Sequence, residues 1–214
     1  MTGTGARPSN RRGGRPSKQE AERIERDIRE HALAAFLERG FEGTSMDTIA
    51  ANAGTTKATL YARYPSKEAV FVDVLEWATA RPDWPVREPA PPDLDDLEGA
   101  LRSIANTSVR RALNPSMVRL ARIAVANVDR FPDLARRTHT SAWPRRQLVA
   151  DLLRHHADRG AIVADDPEVL AELFLGLVSG IPARLASFGV TRSAASEARH
   201  VDAAVQLFLR ALRP

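Results

Sequence analysis

At 214 residues, 43% hydrophobic and without cysteine, the chain can bury one large or two modest cores but holds neither disulfides nor thiolate metal sites. No apolar run approaches the roughly 18 residues of a membrane helix, and the opening residues are polar and basic rather than a signal peptide, so a cytoplasmic protein without a membrane partner is expected. The net charge is only +4, yet residues 1–18 hold Arg7, Arg11, Arg12, Arg15 and Lys18 with no acid, while residues 19–79 are net acidic. Any basic function must therefore be local.

Residues 1–17, rich in Gly, Pro, Ser and Arg, are expected to form a disordered basic arm. Gly14-Arg15-Pro16 is similar to the core of minor-groove-binding arms, in which arginine enters a narrow A·T groove. Arg11, Arg12 and Arg15 are thus candidate DNA contacts, with a solvated tail as the alternative. Ser17 and Glu20 form a capping box for a helix running to Arg39, whose stripe of Ile24, Ile28, Ala32, Ala35 and Phe36 is to be buried. Gly40 ends that helix, and Phe41 packs into the same small core.

The stretch Thr44–Lys67, TSMDTIAANAGTTKATLYARYPSK, reads as two short helices joined by a tight turn. Thr44 and Asp47 form a capping-box pattern, and Met46, Ile49, Ala50 and Ala53 give the first helix one apolar face. Gly54 supplies the turn, and Thr56 caps a second helix carrying Lys57, Thr59 and Tyr61 outward and Leu60 inward. Pro65-Ser66 ends it and caps a third, from Ser66 to about Thr79. Small, polar and basic side chains on a short exposed helix suit a DNA major groove.

These residues resemble the helix-turn-helix of the TetR family of transcriptional repressors: the glycine turn, Lys57, Thr59-Leu60-Tyr61, the aromatic Tyr64 and Pro65-Ser66-Lys67-Glu68-Ala69. Two positions depart from the pattern, Ala58 where glycine is common and Ala62-Arg63 where an aromatic or histidine pair often stands. The resemblance implies an all-α protein with a three-helix DNA-binding domain over residues 18–80, the helix-turn-helix at about 45–64, and a helical effector-binding and dimerisation domain over 93–214. Within the motif, Tyr61, Lys67, Thr44 and Ser45 are expected at phosphates. Lys57, Thr59 and Arg63 are expected at base edges, with Thr55 and Thr56 beside them. Tyr64 is expected in the core.

Five prolines between Arg81 and Pro92 mark the domain boundary. Helical patterns then run from about Asp93 to Leu113, from the cap Asn114-Pro115 to just before Phe131-Pro132, and from Pro132 to Arg159 with Pro144 inside and a kink or break near Trp143. Asp166-Pro167 opens a further helix, apolar almost all round, ended by Gly189 and bent at Pro182. The last, about Ala194 to Leu212, is to bury Val201, Val205, Phe208 and Leu212. Residues 114–189 are similar to the AefR-like subset of the family's effector domains, on FPDLAR, the DDPE helix start and the ELFLGLV run.

Helix-turn-helix readers usually work as two copies, and the family dimerises through its last two helices. Leu170, Phe174, Leu177, Val178, Ile181, Phe208 and Leu209 are the candidate interface of a homodimer. The family's release by small molecules implies an effector pocket, for which Trp77, Trp84, Met117, Leu120, Trp143 and Phe174 are candidate walls and Arg119, Asn127 and His139 polar contacts. The ligand would move the Ser66–Thr79 helix like a lever. An activator, or a regulator without a ligand, fits the same motif. An enzyme or metal protein built on His155-His156, Asp151 and Asp158 is the reading from another class, but adjacent histidines diverge on a helix. No phosphate loop, nucleophile elbow or H-E-x-x-H occurs. No cofactor, metal or catalytic residue is therefore assigned.

Overall fold

A computed structural model describes residues 18–81, 83–87, 92–131 and 144–213, and among these residues there are helices and no strands. The first four helices are α1 (Lys18–Arg39), α2 (Met46–Asn52), α3 (Lys57–Arg63) and α4 (Lys67–Ala80). Then follow α5 (Leu97–Ala112), α6 (Pro115–Ala126), a 3-10 turn (Val128–Arg130), α7 (Pro144–Ala157), α8 (Pro167–Ser187) and α9 (Ala194–Ala211). The expected basic arm, with Arg11, Arg12 and Arg15, lies outside the described residues, as does the Ser17 cap.

Helix ends follow local chemistry. α1 stops at Arg39 because Gly40 adopts φ +71°, and Gly54 turns the chain between α2 and α3 at φ +61°, conformations a side chain would strain. Ser45, Thr56 and Ser66 cap α2, α3 and α4 by accepting the backbone N–H three residues on. The cap of α2 is thus Ser45 and not the expected Thr44. Thr44 is buried, and its hydroxyl faces the carbonyls of Gly40 at 2.8 Å and Ala35 at 3.1 Å, so it closes the α1 turn from inside.

α1 packs on α2 and α4 around a core made largely of aromatic rings. Phe71 meets Phe36 edge-on at 5.1 Å, Phe41 at 5.6 Å and Phe131 stacked at 5.0 Å between centroids. Phe131 and Leu120 belong to the chain beyond the proline-rich boundary, yet both are buried in this first core. Such ring pairs contribute about 0.5–1.5 kcal/mol each beyond area burial, so they also fasten the second half of the chain to the first. Arg111 adds a polar tie. Buried on α5, it donates to the carbonyls of Thr79, Arg81 and Val86, where α4 ends.

The second core is mostly aliphatic, with one aromatic pair, Phe174 and Phe208. α8 lies against α5, α6, α7 and α9, and Leu101, Leu152, Leu153, Phe174, Val178 and Val205 are fully buried there. Val201, Phe208 and Leu212 join them as expected. Contrary to the expectation about apolar runs, α8 is long and apolar enough by composition to cross a membrane. It is the central helix of this bundle and has one covered and one open face. Ala171, Phe174, Leu175 and Val178 are covered, whereas Val169, Leu173 and Ile181 are about half exposed or more. Pro182 sits inside α8. Pro144, expected within a helix, is the first described residue of α7.

Candidate nucleic-acid interface

The three hydroxyl caps place α2, α3 and the start of α4 around a shallow recess of about 490 Å³. Ser45, Asp47, Lys57, Tyr61, Ser66 and Lys67 line it, with Glu42 and Thr44 at its edge. Ser45, Lys57, Tyr61 and Lys67 are therefore brought together, four residues that the chain spreads over 23 positions. Ser66 and Asp47 belong to the same recess and were not singled out as contacts. Both sit at or next to helix starts, the one signal that could have marked them.

Each polar side chain has an internal partner that fixes where it points. Lys57 pairs with Asp47 at 2.8 Å across the turn, with both side chains exposed. Its ammonium is held above the ordinary lysine pKa by the hydrogen bond with Asp47 and then by that carboxylate's charge. Tyr61 stands 44% exposed beside it, with the Lys57 ammonium 5.9 Å from its ring centre. The hydroxyls of Thr56 and Thr59 lie 2.8 Å apart, so the α3 cap and the expected base-reading threonine share one hydrogen bond. Lys67 donates to the Phe41 carbonyl at 2.7 Å and lies over the Phe41 ring at 4.3 Å. That leaves two of its three N–H donors free of this bond. Thr55 is half-buried, and its N–H closes the turn on the Ala50 carbonyl.

Two expected contacts are placed elsewhere. The Thr44 side chain is turned into the protein. Arg63 is folded back on α1, donating to Glu25 and to the Ala21 carbonyl at 3.3 Å, so it braces α3 instead of extending from it. Tyr64, at the end of α3, is buried as expected. Its hydroxyl donates to Asp73 at 2.7 Å, and Arg29 of α1 grips the same carboxylate at 2.8 and 2.9 Å. Burial, followed by this hydrogen bond to Asp73, pushes the Tyr64 hydroxyl well above the usual tyrosine range. Asp73 thus joins α1, the end of α3 and the middle of α4 at one group.

The expected effector walls do not converge. Trp77, Trp84 and Leu120 pack with the first core and Phe174 with the second, while Met117 is half-buried on α6. His139 and Trp143 lie outside the described residues. Asn127 and Arg119 instead line an open cleft of about 820 Å³ between the end of α1, α6 and the end of α8. In the expected interface, Phe174, Val178 and Phe208 are core residues of a single chain, leaving no side chain to offer a partner. Leu170, Leu177 and Leu209 are partly covered, and Ile181 is half exposed. Leu173 and Leu207, at 59% and 57% exposed, are apolar residues of the same two helices that were not among the expected ones.

The histidine pair serves a structural end. His155 meets Asp95 at 3.0 Å and lies against Arg159, and His156, buried, meets the Leu94 carbonyl at 2.9 Å, pinning the lead-in to α5 onto α7. Among the described residues no three metal-ligating side chains gather.

Residues 28–74 match the model of bacterial regulatory proteins of the tetR family, and residues 99–214 that of the AefR-like transcriptional repressor C-terminal domain. The chain is 34% identical over 93 residues to an HTH-type transcriptional repressor of Streptomyces coelicolor, covering 44% of this chain and 45% of that one. It is 28% identical over 133 residues to an HTH-type transcriptional regulator of Mycobacterium tuberculosis, covering 61% of each. It therefore spans about half to three-fifths of the curated relatives it matches. Among solved structures, it is similar to the flavonoid-responsive regulator FrrA, with 32% identity, a TM-score of 0.72 and 91% and 98% of the two chains covered. A TetR family transcriptional regulator from Pseudomonas syringae pv. tomato aligns at 26% identity and TM-score 0.59, covering 91% and 97%. These relatives are regulators and not enzymes.

Proposed function

Because the chain belongs to the TetR family of bacterial regulatory proteins, we propose that it is a homodimeric repressor, released from a pseudo-palindromic operator by a small hydrophobic or aromatic effector. The observation that carries this reading is the recess at α2–α4, where Lys57, Tyr61 and Lys67 gather around three capped helix starts. Lys67, Tyr61 and Ser45 hold phosphates and set the register, while Lys57 and Thr59 meet base edges in the major groove. The open apolar face of α8, with Leu207 of α9, supports a two-fold dimer, and that symmetry is copied into the operator.

Release works through α4. Its start caps the recess, its middle holds Tyr64 and Arg29 through Asp73, and its end is gripped by Arg111. A ligand that binds one position of α4 better than another biases the spacing of the two reading heads by its differential affinity.

Selection of bound duplexes from random DNA, followed by gel-shift titration, tests the reading. A pseudo-palindromic site is expected. Tyr61→Phe and Lys67→Ala should weaken binding to all sequences, whereas Thr59→Ala should change base preference by about 1–3 kcal/mol at one position per half-site. Recovery of no enriched sequence at low salt would overturn it.

A further inference from the structure

The cleft between the two halves of the chain has the composition of a ligand site, and of the described residues expected at an effector only Asn127 and Arg119 reach it. Its lining is largely apolar, with Leu113 beside Val118 and Ile123 of α6, all three partly exposed. Arg119 and Arg122, three apart on α6, share a helix face. Arg119 donates through one N–H to the Glu38 carbonyl at 2.9 Å, where α1 ends. Arg122 donates to the carbonyls of Ala186 and Ser187 at 2.7 and 2.8 Å, where α8 ends. Neither forms an ion pair with a carboxylate among the described residues, and Arg39 adds a third guanidinium to the lining against the single acid Glu42. A guanidinium has five N–H donors, so both α6 arginines keep donors and positive charge available to an anion.

We infer that this cleft binds a small organic anion with an apolar body, an aromatic or medium-chain carboxylate, whose carboxylate pairs with Arg119 and Arg122 while its body lies along Leu113, Val118 and Ile123. A volume of about 820 Å³ is ample for such a molecule. Inorganic anions lack the body that the apolar wall rewards, and neutral amides lack the charge. An occupant touches the end of α1 and α6 together, so it must bias the arrangement of the two halves if that arrangement varies. Binding itself does not depend on the repressor reading; its effect on DNA rests on it.

Calorimetric titration of the full chain with cinnamate, octanoate, cinnamamide and inorganic phosphate tests the inference without DNA. At least one carboxylate should bind tenfold or more tighter than cinnamamide and phosphate. The paired variant Arg119→Gln/Arg122→Gln should lose that binding by tenfold or more. It could also loosen the fold, so Ala126→Glu serves as the second variant: Ala126 is exposed on the cleft wall, and a carboxylate there repels the ligand while both arginine bonds stay. A loss of fivefold or more with an unchanged melting temperature supports the site. Carboxylate binding unaltered by Ala126→Glu, phosphate binding as tight as the carboxylates, or no carboxylate binding at all would overturn it. Failure of operator selection, by contrast, removes the repressor reading and leaves the calorimetry to decide the cleft.

Discussion

The two halves of this molecule are stabilised in different ways, and the difference governs how each responds to change. The first half sets two short helices and the start of α4 against the long α1, their ends fixed by nearby residues, closed on a cluster of aromatic rings with one shared carboxylate at Asp73. The second is long helices meeting through Leu, Val and Ala, with one face of α8 left open. Local chemistry specifies the first; the second is specified by what covers what. A substitution in the first half should act through a cap or a hydrogen bond, and in the second through the side of α8 it lands on.

The largest effect separates the two sides of α8. Phe174 is fully buried against Phe208, with rings 4.9 Å apart. Phe174→Glu should cost about 4 kcal/mol or more, because it removes an aromatic from the core and buries a carboxylate without a partner. Soluble protein should then be scarce or molten by near-UV circular dichroism. Leu173→Glu with Ile181→Glu instead places charges on two α8 side chains that are 59% and 50% exposed. The fold should survive and light scattering should report a monomer that binds operator poorly. If the Leu173/Ile181 protein remains dimeric, the interface lies elsewhere.

That contrast also shows how much was legible beforehand. The helix-turn-helix was readable to within a residue, since Gly54, Thr56 and Ser66 act on their immediate neighbours. The existence of α8 was equally plain. Which of its apolar residues face inward was not, because Leu173 and Phe174 are adjacent and the helix is apolar almost all round. Arg63 misled for a related reason: its position on α3 suits DNA, but its length lets it reach back to Glu25 and Ala21 on α1. The cleft arginines gave no periodic signal, since their partners are backbone carbonyls 64 to 81 positions away.

Next in size is Asp73. Asp73→Ala should destabilise the first half by about 2 kcal/mol, as it leaves the Tyr64 hydroxyl without its acceptor and the Arg29 guanidinium with Glu25 alone in a partly buried site. Denaturant melts should show this, along with weaker operator binding from a loosened end of α3. Alkaline pH should sharpen the same point. Tyr64 has a raised pKa in the fold, so its contribution is present below the ordinary tyrosine value of about 10 and is lost as pH climbs from there through the folded value. Tyr64→Phe should be less stable at neutral pH and should lack this part of the alkaline loss. A wild-type and Tyr64→Phe pair with parallel stability curves from pH 8 to 11 would contradict the assignment.

A smaller effect belongs to the caps. Ser45→Ala or Thr56→Ala should each cost about 1 kcal/mol, because one orphan N–H at a helix start loses its acceptor. Thr56→Ala should also free the Thr59 hydroxyl, so its effect on base preference should exceed that of Ser45→Ala. Equal changes in preference would mean that the 2.8 Å hydroxyl pair does not orient Thr59.

The smallest effect on stability, and the most telling for the recess, concerns Lys57 and Asp47. Both side chains are more than half exposed, so solvent screens the pair and neither Lys57→Ala nor Asp47→Ala should move the melting temperature appreciably. Their effects on DNA should be opposite in sign. On the proposed reading Lys57 exchanges Asp47 for the duplex, and Asp47 sets a negative charge in the recess proposed to meet the phosphates. Lys57→Ala should weaken binding and alter base preference, while Asp47→Ala should strengthen binding to all sequences and steepen its salt dependence. One phosphate newly neutralised corresponds to about 0.9 in the slope of log affinity against log salt. Gel shifts at four salt concentrations measure that slope directly. If Asp47→Ala weakened binding instead, the carboxylate would be acting as a guide that holds Lys57 in its reading position, and the pair would have to be reassigned from restraint to preorganisation.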